Sequence, residues 1–178
     1  MGNGLSVMKF AWCNQRSFEN IALHQLDKGQ PDLTAIYLVA NDPIDHTFWH
    51  YYEPEAYEGV DPDEARRLGQ IVENIYVHND GVVQQILDRV DEDTVVFVIS
   101  DHGFRAAGEL PRTKPIPKRH FRDLQEEAFE KGTVTVGQSG EHDMKGIIIA
   151  AGGPVQADVS VSATVYDIAP TAMYLMGM

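Results

Sequence analysis

Cysteine is nearly absent from the 178-residue chain. Cys13 stands alone, so neither an intrachain disulfide nor a cysteine-based zinc finger can form. Positive charge is also scarce. Fourteen Lys and Arg oppose 27 Asp and Glu, for a formal net charge of -13. So acidic a chain repels nucleic acid duplexes and anionic lipid. Long hydrophobic runs are missing too. Ile147 to Ala151 is strand-sized, far short of the ~20 apolar residues of a membrane span. Met1 to Gln15 lacks the apolar core of a secretory signal, although Met1 to Ser6 fits the loose myristoylation pattern. A cytoplasmic location is the expectation for the chain as given. What remains is an ordinary globular mixture, 43% apolar and 23% charged, without internal repeats and long enough for one domain with a real core.

Hydrophobic spacing then orders the chain. Asn14 to Lys28 is expected to be helical, with Phe18, Ile21, Ala22 and Leu26 on one side and Gly29 as the stop. Leu33 to Ala40 is β-rich and almost wholly apolar, as in a strand covered on both faces. A long helix is expected from Pro62 to Val90, capped by Asp61 and weakened at Gly81. Thr94 to Ser100 and Gly146 to Ala151 are two further buried strands, and Asp167 to Met176 a last helix. An excursion from Gly103 to Glu141 holds three prolines, an expected helix from Arg119 to Lys131 and a β-like Thr133 to Val136. Loops this long are usually functional. Buried strands alternating with helices predict an α/β fold, a layered α/β/α arrangement around a mainly parallel sheet. The expected organisation is a helical segment at 1–30 and a main unit at 31–178 with an insertion at 104–139.

In such folds ligands bind beyond the carboxyl ends of the strands. The polar residues there are Asp42 and His46 after the first strand, Asp101 and His102 after the second, and His142 just before the third. Asp42 and His46 are four apart, so a helix starting at Asp42 puts both on one face. Taken singly, Asp42-Pro43 is more often a helix cap, Asp101-His102-Gly103 a turn and His142 a solvated side chain. Their joint occurrence beside separate strands points to a shared metal site. His and Asp donors favour zinc, with manganese as the runner-up. Two such ions a few ångström apart suit phosphoryl displacement. Phe48 and Trp49 lie beside this site or pack in the core.

These stretches resemble the alkaline phosphatase superfamily, and within it the type I phosphodiesterase/nucleotide pyrophosphatase group. The similar segments are Tyr37 to His46, Val98 to Phe104, Gly140 to His142 leading into Gly146 to Ala151, and Tyr166 to Thr171. The resemblance implies that Asp42, His46 and His142 bind one zinc and that Asp101 and His102 bind a second. It implies a phosphate ester or nucleotide substrate, and a helix-capping role for Asp167. It also places another metal-binding Asp and a Ser or Thr nucleophile ahead of the Asp42 motif, and residues 1–30 show no counterpart. The expectation is therefore the C-terminal half of a two-metal phosphate mono- or diester hydrolase, incomplete at the N-terminal side and weak or inactive alone. The alternative is a non-catalytic metal-binding remnant that pairs with another chain. An incomplete sheet exposes strand edges, so a homo-oligomer, or pairing with the missing half, is expected. Six basic residues between 105 and 122 form a positive island in the excursion, in which Arg105 is the candidate for gripping a substrate phosphate.

Overall fold

The computed structural model describes residues 2–29, 31–108, 110, 112–115, 133–136 and 138–178. The expected helix from Arg119 to Lys131 lies outside the described residues, as do Lys118, Arg119 and Arg122 of the basic island.

Helix α1 spans Gly2–Leu26, starting well ahead of the expected Asn14. Glycine disfavours helix, but contact outweighs propensity here. Gly4 lies so near Phe48 that a Cβ would come 3.3 Å from its ring, and Ala11 is buried. Helix α2, Asn41–Tyr52, carries Ile44, Asp45, Phe48 and Trp49 inward. The spacing of Ile44, Phe48 and Trp49 gives one apolar stripe, and Pro54 just past its end stops it. Phe48 and Trp49 are thus core residues, nearly removed from solvent.

The long helix expected over Pro62–Val90 is two helices, α3 Pro62–Leu68 and α4 Gln70–Leu87. Asp61 caps α3 by accepting the N–H of Asp63 at 2.7 Å. The break falls at Gly69, not at Gly81. A Cβ at Gly69 would lie 2.6 Å from the carbonyl oxygens of Ala65 and Tyr51, so α2 and the α3–α4 junction meet backbone to backbone. Val72 and Ile75 of α4 complete a core with Ala40, Ile44, Phe48 and Trp49. Helix α2 is its hub, touching α1, α3 and α4.

The strands correct the expected sheet. Strand β1 (Val96–Ile99) pairs with β6 (Ile148–Ala151), β2 (Gly103–Ala106) with β5 (Gly140–Asp143), and β3 (Arg112–Pro115) with β4 (Thr133–Val136). Every pair is antiparallel and two-stranded. The fold remains mixed α and β, but the described residues contain no parallel sheet. The reason is the path of the chain. It runs out through β1, β2 and β3 and returns through β4, β5 and β6, so partners meet head to tail, whereas a parallel pair needs a crossover. Leu33 to Ala40 is not a strand of any described ladder, and Leu33 and Tyr37 are exposed. Apolar content alone cannot make a strand; a neighbour must supply the hydrogen bonds. Strand β1 is only partly buried, and Ile99 faces solvent.

The last helix, α5, spans Val165–Leu175. Asp167 sits in its first turn and accepts the Thr164 N–H at 2.7 Å, as expected of a cap. That bond and the Thr164 hydroxyl hold its carboxyl below the usual range. No residue of α5 is buried, and no described helix is long and apolar enough to cross a membrane.

Candidate metal centre

Three ligand atoms converge where α2 meets β5. His142 Nε2 lies 2.9 Å from His46 Nε2 and 3.1 Å from Asp42 Oδ1, and His46 Nε2 lies 3.4 Å from Asp42 Oδ1. Donors held ~2.0–2.1 Å from a tetrahedral zinc stand about 3.3 Å from one another. The triad therefore has the spacing of three ligands on one ion, and its nitrogen-rich donor set suits zinc better than calcium or magnesium. Among the described residues, Asp42, His46 and His142 are the group that could hold a metal ion.

The local structure explains the convergence. Asp42 and His46 are one helical turn apart on α2 and so lie on one face of it. Strand β5 docks on that turn through its first residue and the one before it. Ser139 N–H donates to the His46 carbonyl at 2.8 Å, and the His46 ring Nδ1 donates to the Gly140 carbonyl at 2.7 Å. That second bond places the imidazole proton on Nδ1 and leaves the Nε2 lone pair facing Asp42 and His142. The approach requires glycine, because a Cβ at Gly140 would lie 2.5 Å from the Asp45 carbonyl oxygen.

The β2–β5 register then sorts the remaining candidates. Phe104 stands opposite His142 and Arg105 opposite Glu141, so alternation puts Phe104 on the face of the triad and Arg105 on the other. Phe104 packs edge-on against His46, His102 and His142, with centroids 4.9, 5.4 and 5.3 Å away. Its other neighbour is Trp49, stacked at 5.7 Å. Arg105 is held by Glu141 at 2.8 Å and is not brought to the triad.

His102 joins the cluster at its edge. Its ring stacks on His142, centroids 3.6 Å apart, and its Nε2 lies 3.9 Å from Asp42 Oδ1 and 3.7 Å from Asp101 Oδ1. The Asp101 side chain is 83% exposed. The structure thus gathers Asp42, His46, His142 and His102 in one place, with Asp101 beside them in solvent.

Hydroxyl groups near the triad are engaged with backbone. Thr47 Oγ1 donates to the Pro43 carbonyl at 2.7 Å. Ser100 Oγ accepts the Ile147 N–H at 2.9 Å. Ser139 Oγ donates to the His46 carbonyl at 3.2 Å.

Sequence reasoning missed Phe104, Gly140 as a docking point, and Asp45. Asp45 lies between the two α2 ligands, is fully buried, and accepts the Tyr76 hydroxyl at 2.7 Å. Burial pushes its carboxyl up to about 7, the Tyr76 bond opposes this, and nearby Asp42 adds to it. Burial, with Asp45 beside it, likewise raises the Tyr76 hydroxyl. The two-residue alternation of Gly103–Ala106 was the one available signal for Phe104. Nothing in the sequence marked the others.

A family model for type I phosphodiesterase/nucleotide pyrophosphatase matches residues 7–147. No curated protein and no solved structure matches the chain.

Proposed function

The chain belongs to the type I phosphodiesterase/nucleotide pyrophosphatase family, and from that premise we propose that Asp42, His46 and His142 form a zinc site for hydrolysis of phosphate mono- or diesters, including nucleotides. The convergence of three ligand atoms from α2 and β5 carries this reading. When bound there, a divalent ion supplies positive charge and Lewis acidity toward a phosphoryl oxygen. The chain's own residues do the rest. The Gly140 carbonyl orients His46, and Phe104 walls the three imidazoles off on one side. In this reading Asp101 and His102 contribute to a second ion, weaker than the first because the two side chains supply fewer donors. Zinc is the favoured metal, with manganese the runner-up. Arg105, paired to Glu141 on the far face, is not assigned a substrate contact.

A second reading, a metal-binding module that pairs with another chain, is favoured by two observations. The hydroxyls of Thr47, Ser100 and Ser139 are tied to backbone, so none stands ready as the nucleophile. Ile99 of β1, Ile149 of β6 and most apolar residues of α5 are exposed, as where further polypeptide packs, whether a second copy or other strands of the same fold.

Zinc titration in competition with a chelator tests the site. Asp42→Ala and His46→Ala should each weaken binding at least ~100-fold, since each removes a ligand. Unchanged affinity in both would refute it. Hydrolysis of bis-p-nitrophenyl phosphate separates the two readings. The 178-residue chain should be slow or inactive alone, and vigorous turnover that survives Thr47→Ala and Ser100→Ala would show that the nucleophile lies elsewhere in this chain.

A further inference from the structure

The start of α2 has no side-chain cap. Its N-cap is Ala40, and no side chain of its own neighbourhood bonds the helix start. Such a start is weak, because Ser, Thr, Asp or Asn normally supplies an oxygen there. Yet this first turn carries Asp42.

Other helices hold it. The buried Ala40 N–H donates to Gln15 Oε1 of α1 at 2.8 Å. Gln15 Nε2 donates to Asn79 Oδ1 of α4 at 2.6 Å. Asn79 Nδ2 donates to Asn41 Oδ1. Asn41 also bears on the Tyr76 hydroxyl, opposing the upward push of burial on it, and the Tyr76 hydroxyl donates to Asp45 Oδ2 at 2.7 Å. Gln15 and Asn79 each accept with the amide oxygen and donate with the amide nitrogen, so neither can flip without breaking two bonds. Both ends, Gln15 and Asp45, are fully buried. Asp45 Oδ1 has no hydrogen-bond partner among the described residues. A buried carboxyl with one idle oxygen is costly, which makes a purely packing role a poor account of it.

The chain ties down residues 40, 41 and 45, on either side of Asp42 and just before His46. We propose that the relay Gln15–Asn79–Asn41–Tyr76–Asp45 positions the α2 turn that bears Asp42 and His46, so that α1 and α4, which contribute no ligand, set the affinity of the metal site. This rests on the zinc-site reading above. The relay residues are positioning residues. They touch neither ion nor substrate, and they act by keeping two ligands at the separation that one ion requires.

The test measures Zn²⁺ affinity by chelator competition on the full chain, with the metal-free ¹⁵N spectrum of the His46 imidazole as second readout. Tyr76→Phe deletes one hydroxyl and cuts the relay at Asp45, and Asn79→Leu cuts it in the middle. Both should weaken Zn²⁺ binding about 10-fold or more, and the His46 ring should lose its single Nδ1–H tautomer. Val83→Ala, on the same helix but off the relay, should keep the parent affinity within twofold. Parent affinity in Tyr76→Phe, while His46→Ala abolishes binding, would overturn the relay and leave the zinc site standing. Parent affinity in His46→Ala as well would overturn both. If Asn79→Leu does not fold, Tyr76→Phe decides alone. An equal loss in Val83→Ala would show general loosening and also overturn the relay.

Discussion

Two regions of this molecule both carry many apolar residues and treat them in opposite ways. Around α2, the side chains of Ile44, Phe48, Trp49, Val72 and Ile75 are nearly sealed from water. In β6 and α5, Ile149, Val165, Tyr166, Met173 and Tyr174 are exposed, Tyr166 at 84% and Tyr174 at 80%. The difference lies in neighbours. Helix α2 is touched by three helices and by β2 and β5, while among the described residues β6 pairs only with β1 and α5 has no buried residue. Hydrophobicity says that a segment gains by leaving water; it does not say that its own chain supplies the cover. The candidate metal centre sits on the covered region, where rigid packing can hold ligands to a fraction of an ångström.

The largest expected effect probes that core. Phe48→Ala should lower stability by about 3–5 kcal/mol, from lost transfer energy plus the cavity left between α1 and α2, measured by urea unfolding. A loss below ~1 kcal/mol would mean that this region is no better packed than α5.

Proton linkage comes next. Burial pushes the folded Asp45 carboxyl up to about 7, from the 3.8 ordinary for the unfolded chain. Between these values the folded state holds a proton that the unfolded state has released. Stability should therefore fall as pH rises from about 4 to about 7, with a slope of up to about 1.4 kcal/mol per pH unit, and level off above. Asp45→Asn keeps an acceptor for Tyr76 and should flatten this metal-free profile. An unchanged slope in that variant would assign the titration to another group.

Gly140→Ala forces the backbones of β5 and α2 apart and should cost about 1–3 kcal/mol. It should weaken zinc binding as well, because the Gly140 carbonyl that orients His46 moves with it. Stability lost without any loss of zinc affinity would uncouple docking from the site.

The smallest effect belongs to the exposed region. Tyr174→Ser should change the stability of the isolated chain by no more than about 0.5 kcal/mol. Sedimentation of the parent should show self-association that this variant reduces. A parent that stays monomeric at tens of micromolar would leave a different polypeptide as the occupant of that surface.

Much of the site was legible along the chain. Asp42 and His46 declare themselves by their four-residue spacing, because helical geometry alone puts them on one face. The cap at Asp61 and the turn role of Asp167 follow from local hydrogen bonding. The split at Gly69 was not legible. It depends on the Tyr51 carbonyl, eighteen positions earlier, arriving within 2.6 Å of where a Cβ would be.

What the sequence by itself determined are the features that short-range physics settles: helix faces, caps, the scarcity of thiols, and a set of His and Asp donors suited to zinc. What only the tertiary structure decided are the features that need two distant segments to meet. The antiparallel out-and-back path replaced the expected parallel sheet, because strand direction depends on how the chain returns and not on which residues it contains. The same path brought His142 to Asp42, 100 positions away in the chain, and turned Arg105 toward Glu141. A side chain's chemistry is written in its residue type, but its neighbours are set by the route of the backbone, and a metal site needs both.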